Sequence, residues 1–293
     1  MDAVKRALAL LLSFAACHAA AAVRAVDDAG SEILLARPAQ RIVSLAPHAT
    51  EMLYAAGAGS AIVGAVAHSD WPPAARTVRR VGDAAALDLE QIAALSPDLV
   101  VAWPYTAPAQ LDALRAQKIP VFVSDPKTIA GIADDIERLG TLAGTRGIAL
   151  AASNAMRDKY AALVAKYRDA PRLRVFYEVW NEPLYTIGGR HLISQAIDVC
   201  GGDNVFAALT IPAPSVTVEA VVAAAPDVIV GGDDAGKRPP WLDDWRRWPS
   251  IPAVRDNNLF GASGDLLHRP GPRFVEGMAA LCADLDTARA RRR

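Results

Sequence analysis

The sequence predicts an α/β fold: two Rossmann-like lobes joined by a long rigid helix. Three observations carry that prediction. First, one stretch is written twice, over residues 89–102 and 218–231, with its glutamate, proline and aspartate recurring at a single offset of 129 positions (219 − 90). Each copy reads as a short helix, a Pro-Asp turn and a continuous apolar run. A run such as Leu99-Val100-Val101-Ala102 suits a strand buried on both faces, as in a parallel sheet. The proline stops the helix before it, because the residue preceding proline is pushed out of the α region. Second, strand and helix signals alternate on either side of residues 128–170, which calls for parallel sheets with right-handed crossovers. Third, residues 128–170 themselves carry helical periodicity and no strand signal.

In order, residues 41–45 read as a strand and 46–50 as a turn. Thr50 is expected to cap a helix over 51–56 that Gly57 ends. Residues 61–66 form the next strand, and His68-Ser69-Asp70-Trp71-Pro72-Pro73 must be a loop. The first repeat copy then delivers Trp103-Pro104-Tyr105 at the carboxyl end of its strand. A helix over 107–117 and a strand over 120–123 complete the lobe. The spacing predicts one helix over 129–143, ended near Gly144, and a second over 146–168 capped by Thr145. Ile148, Ala152, Ala155, Met156, Tyr160, Leu163 and Tyr167 recur three or four apart along it. Such a helix spans about 34 Å at 1.5 Å per residue and acts as a rod, allowing only a small opening motion. The second lobe has a strand over 174–179, a loop over 180–185, a helix over 193–200 closed by Gly201-Gly202, and then the second copy. Trp241, Trp245 and Trp248 lie at helical spacing and read as core. The expected organisation is a signal peptide (1–22), an N-terminal lobe (41–127), interlobe helices (128–170) and a C-terminal lobe (171–293).

The chain is 52% hydrophobic and 22% charged, so it has ample material for a core. Its net charge of −1 and pI near 6.5 leave no basic footprint for nucleic acid. Lys5 and Arg6 precede a short apolar run over 7–16 and a string of small residues, the pattern of a secretory signal. That run is too short to span a bilayer, which needs roughly 20 apolar residues. The expectation is export to a periplasm, with ordinary cleavage favoured over lipid anchoring through Cys17. Two cysteines then remain, Cys200 and Cys282. In an oxidising compartment they form either a bridge that staples the second lobe or two buried free thiols.

Ligands of open α/β sheets bind outside the carboxyl ends of the strands. Those ends carry Pro47, His68, Trp71, Trp103, Tyr105, Trp180, Tyr185, Asp265 and Arg269. Large flat groups with few charges suit a bulky planar ligand. Asp265 and Arg269, four apart, read either as a structural ion pair or as partners for ligand amides. No serine sits in a Gly-x-Ser-x-Gly elbow, and Gly57-Ala58-Gly59 follows a helix rather than a strand and is followed by Gly64, too late for a dinucleotide fingerprint. His48, His68, His191 and His268 show no metal-ligand spacing. The residues therefore imply no enzyme, metal or cofactor, and an exported α/β enzyme is only a remote alternative.

These residues carry a resemblance. Arg41-Ile42-Val43-Ser44-Leu45-Ala46-Pro47 with Thr50-Glu51 looks like the opening strand and turn of the periplasmic binding proteins of ABC importers that have a helical backbone. That class carries vitamin B12, ferric siderophores and haem. Ser69-Asp70-Trp71-Pro72-Pro73, Pro97-Asp98-Leu99-Val100-Val101-Ala102-Trp103 and Val199-Cys200-Gly201-Gly202 resemble its vitamin B12-binding branch most. The likeness runs over residues 40–285 and implies a monomer that binds without chemistry. It implies that Trp103 contacts a corrin, that Tyr185 faces it from the other lobe, and that Asp265 and Arg269 reach its amides. His68 stands where that branch has a tyrosine. Ala84 and Ala213 stand where it has tryptophans, which implies a wider pocket. Cys200 and Cys282 match its disulfide. Glu90 and Glu219 match the pair that meets arginines on the permease. A ferric siderophore or haem is the alternative ligand.

Overall fold

The computed structural model describes residues 22–83, 86–233 and 238–292. Residues 1–21 of the proposed signal, Cys17 among them, and Ala84 lie outside them. The described chain opens on an antiparallel hairpin, β1 (Val23–Val26) and β2 (Glu32–Leu35), where the sequence reading expects only a polar leader. The reason is a period of two: Ile33 and Leu35 turn inward while Leu34 is exposed. Asp27 fixes the turn by accepting from Ser31 N at 2.7 Å and ties it to the first sheet by accepting from Val123 N at 3.0 Å.

The first sheet is built from β3 (Ile42–Ser44), β4 (Ile62–Ala65), β5 (Leu99–Ala102) and β6 (Val121–Val123). Around it lie α1 (Pro47–Ala55), α2 (Leu89–Ala94) and α3 (Pro108–Ala116). Helices α4 (Ile129–Ala143) and α5 (Arg146–Tyr167) lead to the second sheet. That sheet contains β7 (Leu173–Glu178), then, after a small hairpin of β8 (Trp180–Asn181) and β9 (Leu184–Tyr185), β10 (Gly202–Asn204), β11 (Val228–Asp233) and β12 (Leu259–Ser263). Its helices are α6 (Leu192–Val199), α7 (Val218–Ala224), α8 (Pro252–Arg255), α9 (Gly264–Leu267) and α10 (Phe274–Arg291). The sheets run β4-β3-β5-β6 and β10-β7-β11-β12, every pairing parallel. Each therefore has the order second, first, third, fourth.

The written repeat is repeated in hydrogen bonds. Asp88 caps α2 by accepting from Gln91 N at 2.8 Å, and Thr217 caps α7 by accepting from Ala220 N at 3.2 Å. Asp98 accepts from the backbone of Gln40 and Arg41, both at 2.9 Å, and Asp227 accepts from Arg174 N at 2.7 Å. The Arg41 guanidinium donates to Leu95 O at 2.9 and 2.6 Å, and that of Arg174 to Ala224 O at 3.1 and 2.7 Å. Each arginine thus satisfies a carbonyl that the end of a helix leaves without a partner.

Alternate residues of each strand face opposite layers. Ile42, Leu99, Val101, Val175, Tyr177 and Val230 join one buried cluster that runs through both lobes with α1, α4, α6 and α10. Val43 and Val100 pack on the far side of the first sheet, and Phe176 and Ile229 on the far side of the second. Trp245 is buried there, with Trp241 and Trp248 half-buried against it; their spacing comes from a 3-10 helix, Pro240–Arg247. Helix α5 is 22 residues long, about 33 Å. Its inner side is Ala149, Ser153, Met156 and Tyr167, while Ile148, expected to be part of that apolar face, is 58% exposed. Tyr167 OH donates to Asp286 on α10 at 2.8 Å, and Arg157 pairs with Asp134 on α4 at 2.6 Å.

Two expected caps are corrected. Helix α1 starts at Pro47, whose missing N–H costs nothing in a first turn, and not after Thr50. Thr145 does not cap α5, because its hydroxyl donates to Ala56 O at 2.6 Å instead. Residues 180–185, read as a loop, contain the β8–β9 hairpin. Cys200 and Cys282 form a disulfide that ties α6 to α10 across 82 positions. Closing a loop of that length stabilises by about 4–5 kcal/mol in the chain-entropy picture.

Candidate functional site

In both sheets the chain order reverses beside the first strand, so the crevice lies between the ends of β3 and β5 and between those of β7 and β11. Pro47 and His48 follow β3, and Trp103 follows β5. His48 is 2% exposed. Its ring sits edge-on to Trp103, with centroids 5.3 Å apart and planes at 71°, and Trp103 meets Tyr105 at 4.6 Å and 72°. The row passes from buried His48 through half-buried Trp103 to Tyr105, which is 67% exposed. Burial lowers the His48 pKa to about 4, against a hydrogen bond to the Ser124 backbone that works to raise it, with the Arg269 charge lowering it further. Its Nε2 is buried without a hydrogen-bond partner among the described residues.

Between the lobes stands a cluster of charges. Glu51, on α1 and 1% exposed at its side chain, receives Arg273 through two bonds of 2.8 and 2.6 Å and Arg269 at 3.4 Å. Arg269 also bonds Asp70 at 2.9 Å, across the lobes, and Asp265 on its own lobe at 2.7 Å. Burial opposes the Arg269 charge, but Asp70, Asp265 and Glu51 outweigh it and raise its pKa. Burial alone would raise Asp70; the hydrogen bond and charge of Arg269 pull it below the usual carboxylate range. Three carboxylates thus meet two guanidiniums, and Asp70 and Asp265 keep 47% and 37% of their side chains exposed. The sequence reading named Asp265 and Arg269 but missed Glu51 as their anchor. Its signal is a carboxylate set among the buried residues of α1, which include His48, Ala49, Met52 and Leu53.

Trp71 lies beneath the Arg273 guanidinium, 4.6 Å from its ring centroid, and is 42% exposed. It borders a cavity of about 380 Å³ lined by α1, α5 and the start of α10, so that cavity is a side chamber and not the crevice at the strand ends. His68 is exposed in the left-handed region at φ 62°, which histidine tolerates better than most side chains. Tyr185, on β9, is 36% exposed and sits directly across from Trp180. Ala213 is exposed on the loop that follows Ile211. Glu90 and Glu219 are exposed in the first turns of α2 and α7, as the repeat requires. Each of these helices feeds directly into a strand running the other way, so both carboxylates lie towards the edge where the strands end.

A family model described as periplasmic binding protein matches residues 42–266. The chain belongs to the periplasmic binding protein family. Among curated members, it is 34% identical to the vitamin B12-binding protein of Vibrio parahaemolyticus, over 87% of this chain and 92% of that one. It is 35% identical to the vitamin B12-binding protein of Vibrio cholerae, over 87% and 93%. The crystal structure of the Vibrio cholerae periplasmic vitamin B12-binding protein superposes with a TM-score of 0.79 at 33% identity, covering 86% of this chain and 98% of that one. A periplasmic haem-binding protein from Roseiflexus shares the fold at a TM-score of 0.75 and 24% identity, covering 85% and 98%. The two-lobed architecture of this periplasmic binding protein is thus the one its relatives have.

Proposed function

We propose that this periplasmic binding protein captures vitamin B12 or a related corrinoid between its lobes and delivers it to the permease of an ABC importer. The observation that carries the choice of ligand is the charge balance at the crevice. Arg269 and Arg273, the groups an anionic chelate would need, are already committed to carboxylates, and acid is in excess. A ligand edged with neutral amides suits that balance: Asp70 and Asp265 accept its N–H groups, and Arg269, whose charge is balanced by three carboxylates, still has two of its five N–H groups for a carbonyl. Pro47, His68, Trp103 and Tyr185 supply the apolar and flat contacts, while Trp71 braces Arg273 from the side chamber. Glu90 and Glu219 meet the permease, two carboxylates on equivalent helices that fix one orientation. The protein acts as a monomer, exported by residues 1–22, with lobes at 41–127 and 171–293 joined by 128–170.

Absorbance titration with cyanocobalamin, haem and a ferric siderophore tests this reading. Tight binding of cyanocobalamin alone is expected, with Trp103→Ala weakening it by roughly tenfold. Preference for haem or the siderophore overturns the corrinoid assignment and returns the arginines to anion binding.

A further inference from the structure

The C-terminal lobe has four tryptophans, and three of them, Trp241, Trp245 and Trp248, belong to its outer core. The fourth does not. Trp180 is 53% exposed, directly beyond the end of β7, the strand at which the order of the sheet reverses. It is the cross-strand partner of Tyr185. Residues directly opposite on a ribbon share one face, with Cβ atoms about 5 Å apart. The ribbon is braced on its other side: Tyr185 bridges Ser215, Thr186 N donates to Pro214 O at 3.0 Å, and Val216 N to Leu184 O at 3.0 Å. The indole N–H of Trp180 donates to Glu182 O at 2.8 Å. The ring is therefore held by its own hairpin, and its one polar group is already satisfied. It has a flat surface to offer and no hydrogen bond to demand. Ile211, 62% exposed, and Leu209, 36% exposed, extend the apolar surface of the same lobe.

We propose that Trp180 is a specificity-determining ligand contact, forming with Tyr185 an aromatic platform on the C-terminal lobe that takes the flat face of a large macrocycle. An exposed tryptophan fixed in place beside a second exposed ring loses little side-chain freedom when a ligand covers it. The platform selects breadth: a ligand wide enough to cover both rings gains both contacts, while a narrow one gains a single ring. The identity of the macrocycle rests on the corrinoid reading above; the placement of the ring does not.

The test uses the full chain as wild type, Trp180→Ala and Trp180→Phe, each titrated with cyanocobalamin and, separately, with haem. Unfolding midpoints of the three should coincide, since the side chain is exposed. Trp180→Ala should bind the preferred macrocycle on the order of tenfold more weakly, and Trp180→Phe should keep most of the affinity. The acrylamide-accessible emission that distinguishes wild type from Trp180→Phe should vanish when ligand is added. Unchanged affinity in Trp180→Ala, or undiminished quenching of Trp180 in the complex, overturns the platform. If wild type prefers haem, the corrinoid reading falls and the same variants read the platform on haem. If it binds neither macrocycle, both proposals fall.

Discussion

Each lobe buries a glutamate beside its crevice, and the two are accommodated differently. Glu51 in the N-terminal lobe is ion-paired with Arg269 and Arg273 from the other lobe. Glu178, at the end of β7 in the C-terminal lobe, accepts from Trp245 Nε1 at 2.7 Å and pairs with no cation among the described residues. Burial raises its pKa to about 8, against the Trp245 hydrogen bond and with help from the Asp244 charge. A buried carboxyl must be paired or stay protonated, because an isolated charge is far too costly away from water. One lobe uses its glutamate to hold the other lobe. The other uses its glutamate as a neutral part of its own core. The repeated frame is the same on both sides, so the departures from it show where the lobes have separate tasks.

Removing the paired carboxylate should have the largest effect. Glu51→Ala is expected to cost about 3–5 kcal/mol of stability, since two guanidiniums lose a buried partner. Urea denaturation measures it, and a loss below about 1 kcal/mol would break the contrast between the two glutamates.

The pH response should separate the lobes next. The unfolded Glu178 ionises near its ordinary value while the folded one holds its proton up to about 8. Between those values the unfolded state binds fewer protons, so this group makes stability fall as pH rises. His48 acts in the opposite direction. Its folded pKa of about 4 lies below the ordinary 6.5, so its stability contribution is lost as pH falls through that window. Each slope is at most about 1.4 kcal/mol per pH unit. Glu178→Gln should remove a fall in stability that runs from the ordinary carboxylate value to about pH 8, and His48→Phe a rise that runs from about pH 4 to 6.5, the two slopes opposing each other where the windows overlap. Finding that both substitutions change the slope in the same sense would show that the two groups do not titrate as their burial requires.

The smallest effect sharpens the equivalence of the frame. Asp98→Ala and Asp227→Ala should each cost about 1–3 kcal/mol by stripping backbone N–H groups of an acceptor. Asp227 should cost more, because it is 8% exposed and also pairs with Arg292. A larger loss at Asp98 would reverse that ranking.

The doubled stretch was legible in sequence because backbone hydrogen bonds need few side chains and always the same ones. Glutamate, proline and aspartate at one offset mark a helix start, a helix stop and an anchor for the neighbouring strand. Helix α4 was legible from its 3.6-residue period, and Trp103 and Tyr185 from their places after strands. The N-terminal hairpin was hidden by its shortness, since four residues of alternation are weak evidence in a polar context. Thr50 and Thr145 have the composition of caps, yet tertiary partners claimed their hydroxyls. Glu51 joins residues more than 200 positions apart, and no local pattern announces such a pairing. Trp180 lay in a stretch whose Asn, Glu and Pro all favour a turn, which concealed the ribbon that displays it.

The pairing of Glu51 bears on how far the two lobes can part. Swinging the lobes apart about α5 would withdraw both guanidiniums from a carboxylate that is 1% exposed, and would also tear a core that the lobes share. Any wide opening must therefore break this buried ion pair, so the Glu51 contact acts as a clasp that favours a mouth near its present width.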